Sequence, residues 1–175
     1  MTSDHLRYEL ASATLDNGLS VVVSPDPGAP GVAVNLWVEV GSADEVTGRT
    51  GFAHLFEHLM FQGSSQVASG EHMATIESVG GTVNATTSND RTNYFETVPR
   101  GALDLALWLE ADRFASLAIT PENFEAQRQV VKEEKRQRYD NQPYGDLLQL
   151  LPAQHFTPDH PYGHLTIGSM TDLDD

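Results

Sequence analysis

The chain has 175 residues, 10 of them basic and 25 acidic, for a formal net charge of −15, and it contains no cysteine. That length suits one domain with a real core, and an apolar share of 39% is enough to build it. The acidity repels nucleic acid and anionic membrane surfaces, so neither is expected as a partner, and the missing thiols exclude disulfides, thiolate zinc sites and cysteine nucleophiles.

The first 23 residues read as a hairpin, with residues 13–15 and 19–23 joined by Asp16-Asn17-Gly18, a turn sequence that accepts positive φ. Three prolines between residues 24 and 30 mark a loop. Residues 31–41 then alternate: Val32, Val34, Leu36, Val38 and Val40 share one face and Asn35 and Glu39 the other, as in a half-buried strand. Thr50 is placed to cap a helix over residues 51–61, which is apolar nearly all round and therefore expected to be buried, with Gly63 as its stop. A shorter helix is expected over 71–79, ending at Gly80-Gly81. Strands follow over 82–88 and 92–98, split by Asn89-Asp90 and closed by Pro99. Leu103, Ala106, Leu107, Glu110 and Phe114 recur at helical spacing, so 101–117 reads as an amphipathic helix. Thr120-Pro121 opens a long helix to about Tyr139, Pro143 breaks it, and 145–156 forms one more. The last twenty residues read as loop, with a frayed acidic end at Asp172, Asp174 and Asp175. This order predicts an α+β fold, an antiparallel sheet packed with helices. No signal-peptide core and no membrane-length apolar run is visible, so the expectation is a cytoplasmic protein.

The chemistry concentrates in His54-Leu55-Phe56-Glu57-His58. Residues four apart share a helix face, so both imidazoles can chelate one metal ion, and Glu57 lies close enough to reach a water on it. Two histidines and a carboxylate leave zinc an open position, and Glu57 can take a proton from that water during attack on a carbonyl. Hydrogen-bonded core histidines are the alternative, but burying two histidines and a glutamate in an apolar helix is costly unless they are paired or hold something. The third ligand must come from elsewhere. Phe124, Gln127, Val131 and Glu134 form a stripe on the long helix that favours Glu134, with Glu133 as its rival. Arg128, Lys132, Lys135, Arg136 and Arg138 on the same helix read as a solvated face complementing the helix dipole. The remaining histidines, His5, His72, His155, His160 and His164, are read as structural.

Together these segments resemble the pitrilysin/insulinase (M16) zinc metallopeptidases, in their bacterial branch similar to mitochondrial processing peptidase. The resemblance is carried by residues 51–64, by Gly80-Gly81-Thr82-Val83-Asn84-Ala85, and by Arg91-Thr92-Asn93-Tyr94-Phe95-Glu96-Thr97-Val98-Pro99. Leu107-Trp108-Leu109-Glu110-Ala111-Asp112-Arg113 and Val130-Val131-Lys132-Glu133-Glu134 complete it. It implies that His54, His58 and Glu134 bind one Zn²⁺, that Glu57 is the catalytic base, and that Asn84, Ala85 and Thr86 lie on an edge strand that binds substrate peptide. Gln127 departs from relatives that carry a supporting glutamate at that place. The resemblance further implies that residues 1–175 are an incomplete N-terminal half-domain, shortened at its C-terminus. A second homologous half would supply an Arg–Tyr pair for substrate and oxyanion, so the isolated chain is expected to be a weak peptidase. The alternative is a non-catalytic M16-like subunit that binds zinc and supports another chain. S-ribosylhomocysteine lyase, a small zinc enzyme with the same inverted motif, uses cysteine ligands that this chain lacks.

Overall fold

A computed structural model describes residues 9–157 and 159–174; His5 and Asp175, named above, lie outside the described residues. The elements run β1 (Ala11–Thr14), β2 (Ser20–Val23), β3 (Gly31–Val38), α1 (Phe52–Leu59), α2 (Glu71–Ser78), β4 (Thr82–Thr87), β5 (Thr92–Pro99), α3 (Leu103–Ser116), α4 (Pro121–Lys135) and α5 (Gly145–His155). The chain divides after Pro30 into two compact units. The first holds the β1–β2 hairpin, paired antiparallel from Ala11 opposite Val23 to Thr14 opposite Ser20. Its turn works as the sequence implies: Gly18 sits at φ 87°, and the Asn17 side chain accepts from Leu19 N at 3.1 Å.

The second unit is built on an antiparallel sheet in the order β3-β5-β4. The alternation of β3 turns Val32, Val34, Leu36 and Val38 inward and Asn35 and Trp37 outward. Helices α2 and α3 cover the sheet, with Ile76, Ala106 and Leu109 packed on Val98 and against Val34 and Val83. A second cluster joins α1 to α4 through Leu55, Leu59 and Val131, and a third sets Met60 against Ala85 and Tyr94. The α+β architecture is therefore as expected, and its helices carry the functional side chains.

Several expectations are corrected. Thr50 does not cap α1: the helix starts from Gly51 at φ 92°, without a side-chain cap, and Thr50 turns away to Asp172. Nor is α1 buried all round, because Phe52 and Phe56 remain partly exposed and line, with Val46 and Phe114, an apolar groove of about 520 Å³. The acidic end is not frayed among its described residues, since Asp172 accepts two bonds from Thr50 and Asp174 pairs with Lys132. Ile167 and Leu173 join the α1–α4 core; burying two such side chains contributes roughly 3–6 kcal/mol, ample reason for this stretch to be fixed. The basic residues of α4 and of the π-helical turn that continues it, Arg136–Asp140, are engaged in ion pairs. Arg128 pairs with Glu125, Lys132 with Asp174, Lys135 with Asp140, Arg136 with Glu133 and Arg138 with Glu134.

Beneath the sheet lies a buried ionic cluster. His72 Nε2 sits 2.5 Å from Glu96 Oε1, and Arg113 bonds Glu110 through two nitrogens, all four side chains being almost wholly inaccessible. Burial, helped by the Arg113 charge, lowers His72 to about 4. Burial lifts Glu110 to about 7 against the pull of Arg113, and raises Glu96 as well. Burial, the first cause of both shifts, pushes the two carboxyls toward their protonated forms.

The sign of its pH effect follows. A raised Glu110 favours folding fully below its unfolded value of 4.5 and loses that contribution as pH rises through 7. The lowered His72 acts oppositely, losing its contribution as pH falls from 6.5 toward 4. Within this cluster only the carboxyls titrate from pH 6.5 upward, so their contribution makes thermal unfolding of the metal-free protein occur at lower temperature at pH 8 than at pH 6. Glu110→Gln should reduce that difference; a difference undiminished in the variant would contradict the raised Glu110.

Candidate metal centre

His54 and His58 project from one face of α1, their rings edge to face with centroids 4.7 Å apart. Glu134 reaches them from α4, its Oε2 lying 3.6 Å from His54 Nε2 and 3.3 Å from His58 Nε2. The stripe logic thus separates the two adjacent acids: Glu134 turns inward, while Glu133 is half exposed and engaged with Arg136 and Gln137. Glu134 Oε1, the outer oxygen, receives Arg138 Nη1 at 2.9 Å, which fixes the carboxylate's rotation.

Electrostatics prepares the donors unequally. Burial lowers His54 to about 4, and the neighbouring His58 pushes the same way, so at neutral pH His54 is an uncharged base. Burial works on His58 too, but the hydrogen bond and charge of Glu134 outweigh it and raise that ring; Gln127 contributes a further hydrogen bond. The amide at Gln127 therefore touches the site directly. Glu134 is held low, chiefly by its bond to His58. Glu57 is raised by burial, opposed by the Thr87 hydroxyl that donates to its Oε2. A carboxylate moved toward neutrality is better matched to accepting and returning a proton.

Two imidazole nitrogens and one carboxylate oxygen, converging within 4.8 Å, are a donor set for zinc. His54 Nδ1 is buried and has no partner, and its Nε2 faces only the oxygen shared with His58, so the ring is placed for a ligand rather than for the core. The residues present fit the ion.

Asn84, Ala85 and Thr86 lie on β4, whose outer edge has no strand partner among the described residues. The strand passes close to the histidine helix, since Thr87, one residue on, holds Glu57. Ala85 N donates to the Asn84 side chain at 2.8 Å, and Arg91 Nη1 donates to Thr86 Oγ1 at 2.7 Å. Sequence reasoning missed Thr87, which has no local signal beyond following Thr86, and read Arg138 only as part of a solvated face although its i,i+4 spacing from Glu134 offers the ion pair. Of the histidines read as structural, His72 joins the buried cluster, His155 and His160 flank Phe156, and His164 Nε2 meets Glu45 at 3.1 Å.

The sequence profile of insulinase (peptidase family M16) matches residues 20–165. Among curated proteins, the chain is 39% identical over 163 residues to the zinc protease PqqE of Helicobacter pylori, covering 93% of this chain and 36% of that protein. It is 37% identical over 157 residues to an uncharacterized zinc protease of Mycobacterium leprae, covering 90% of this chain and 35% of the relative. Among solved structures, a protease from Helicobacter pylori superposes with a TM-score of 0.92 at 37% identity, over 96% of this chain and 40% of that one. Pitrilysin superposes with a TM-score of 0.82 at 28% identity, over 97% of this chain and 18% of its own. The chain thus spans little more than a third of the length of the curated relatives it matches.

The geometry predicts a titration in the metal-free protein. A His58 raised by Glu134 stabilises the fold fully below its unfolded value of 6.5, and that contribution disappears as pH rises through the raised value. Ring-proton NMR should find His58 titrating above an ordinary histidine. Glu134→Gln should lower it and Glu133→Gln leave it; equal effects of the two would contradict the assignment of the inward acid.

Proposed function

The chain belongs to the insulinase family, peptidase family M16, and from that membership we propose that it is the zinc-bearing part of a metalloendopeptidase, with residues 1–175 forming most of the N-terminal half-domain. The observation that carries the reading is the meeting of Glu134 with His54 and His58 at 3.6 and 3.3 Å, with Glu57 beside them. In it, His54, His58 and Glu134 hold a single zinc ion. When bound, zinc supplies Lewis acidity that activates water and polarises a scissile carbonyl.

The chain's own residues supply the rest. Glu57 accepts the proton released during attack on the peptide carbonyl and returns it to the departing amine, as a carboxylate raised by burial is suited to do. Thr87 holds the Glu57 carboxylate in place through its hydroxyl. Arg138 leaves Glu134 one oxygen for the ion by occupying the other. The open edge of β4 at Asn84, Ala85 and Thr86 binds the substrate backbone as an added strand, which favours extended peptides over folded proteins. A homologous second half completes the chamber, and in its absence the chain hydrolyses peptide slowly. An activity-deficient subunit that binds zinc and needs a second half is the second reading; the complete set of donors and base speaks for the first.

Zinc analysis should find one ion per chain, lost in His58→Ala. A fluorogenic peptide should be cleaved slowly by the zinc-loaded chain, and Glu57→Gln should lower the rate by about 10²–10⁴ while zinc is retained. Cleavage undiminished in Glu57→Gln would remove the residue from its role, and zinc retained in His58→Ala would overturn the ligand set.

A further inference from the structure

Helix α1 presents two donors although its own first turn is uncapped, since Gly51 has no side chain to accept the leading N–H groups. The acceptor comes from outside the helix. Glu45 Oε2 accepts from Gly51 N at 2.9 Å and its Oε1 from Ala53 N at 2.7 Å, immediately before His54. The Glu45 side chain is only 6% exposed, and His164 Nε2 lies 3.1 Å from its Oε2. Just before the helix, Thr50 donates through N and Oγ1 to the same oxygen, Asp172 Oδ2, at 2.9 and 2.7 Å. Ser169 N in turn donates to Thr50 Oγ1 at 2.9 Å. The backbones are in close register there: a Cβ on Gly168 would lie 2.2 Å from Gly51 N, and one on Gly51 would lie 2.7 Å from Ile167 O.

The same segment also grips α4. Ile167 and Leu173 pack in one cluster with Leu55 and Leu59 of α1 and Val131 of α4. Arg128 Nη1 donates to Leu173 O at 3.0 Å, and Lys132 pairs with Asp174. Residues 163–174 are therefore bonded both to the start of the helix that carries His54 and His58 and to the helix that carries Glu134, without supplying a donor themselves.

We propose that Glu45 and the segment 163–174 form a clamp that sets α1 against α4 and thereby fixes how tightly the His54, His58 and Glu134 site holds zinc. This rests on the reading of those three residues as ligands. Glu45 and Asp172 are positioning residues: they act on donor geometry through the backbone of α1. Groups that orient metal ligands commonly change affinity by about 10–100-fold when lost.

The two acceptors differ in a way that makes the proposal specific. Asp172 uses one oxygen for both bonds, so Asp172→Asn can retain them through its carbonyl oxygen, whereas Asp172→Ala cannot. Glu45 uses both oxygens, so Glu45→Gln must turn an NH₂ toward one of two N–H donors and lose that bond. Zinc affinity is read by competition with a chromogenic chelator on the full chain, and donor geometry by the visible absorption of the cobalt-substituted protein. Glu45→Gln and Asp172→Ala should each weaken zinc at least about tenfold and alter the cobalt spectrum, with Asp172→Asn within about twofold of wild type. Wild-type affinity and spectrum in Glu45→Gln and Asp172→Ala, with zinc still lost in His58→Ala, would overturn the clamp and leave the ligand reading standing. Equal losses in Asp172→Asn and Asp172→Ala would also overturn it, because charge rather than acceptor geometry would then be responsible. A wild-type chain that binds no zinc would overturn both.

Discussion

Two imidazoles and a carboxylate meet across the packing of α1 on α4, and none of the three is a group that a protein interior holds without compensation. Everything around them serves that meeting. Leu55, Leu59 and Val131 close the interface between the helices, Arg138 occupies the outer oxygen of Glu134, and Gln127 adds a hydrogen bond to His58. The sheet contributes through β4, which brings Thr87 to Glu57 and leaves an edge open beside it. In the proposed enzyme, coordination of a zinc ion would offset the desolvation of these three donors.

The same residue types recur under the sheet with a different outcome. His72, Glu96 and Glu110 also bring three ligating atoms within 4.8 Å. There, however, Arg113 bonds Glu110 from the same helix and lies over the rings of Phe61 and Tyr94, so a permanent cation already occupies the centre of charge. Burial pushes both carboxyls toward their protonated forms. At α1 and α4 the nearest guanidinium, Arg138, is mostly exposed and lies on the far side of the carboxylate, leaving the inward oxygen to the histidines. The position of the arginine, more than the identity of the ligating residues, distinguishes this buried cluster from the candidate metal centre.

Much of this was legible in the sequence where the determinant is local. Asn17-Gly18 specifies its turn, the valines of β3 specify a face, and Thr120-Pro121 opens α4 with the Thr120 hydroxyl bonded to Asn123 N. The stripe of Phe124, Gln127, Val131 and Glu134 points Glu134 inward because helical period alone decides it. What escaped depends on partners distant in the chain. Thr50 looks like a cap, yet its acceptor is Asp172, 122 residues away; Glu45 caps α1 from outside the helix; and the stretch after residue 163 lacks periodicity although it is pinned at both ends. The exposure of Phe52 and Phe56 was equally invisible, since an apolar helix face does not declare what it packs against.

Anomalous diffraction at the zinc edge from crystals of the zinc-loaded chain tests the central claim most directly. The account predicts one strong peak, about 2.0–2.2 Å from His54 Nε2, His58 Nε2 and an oxygen of Glu134. A peak among His72, Glu96 and Glu110 instead, or one bound by the histidines with Glu134 turned away, would contradict it.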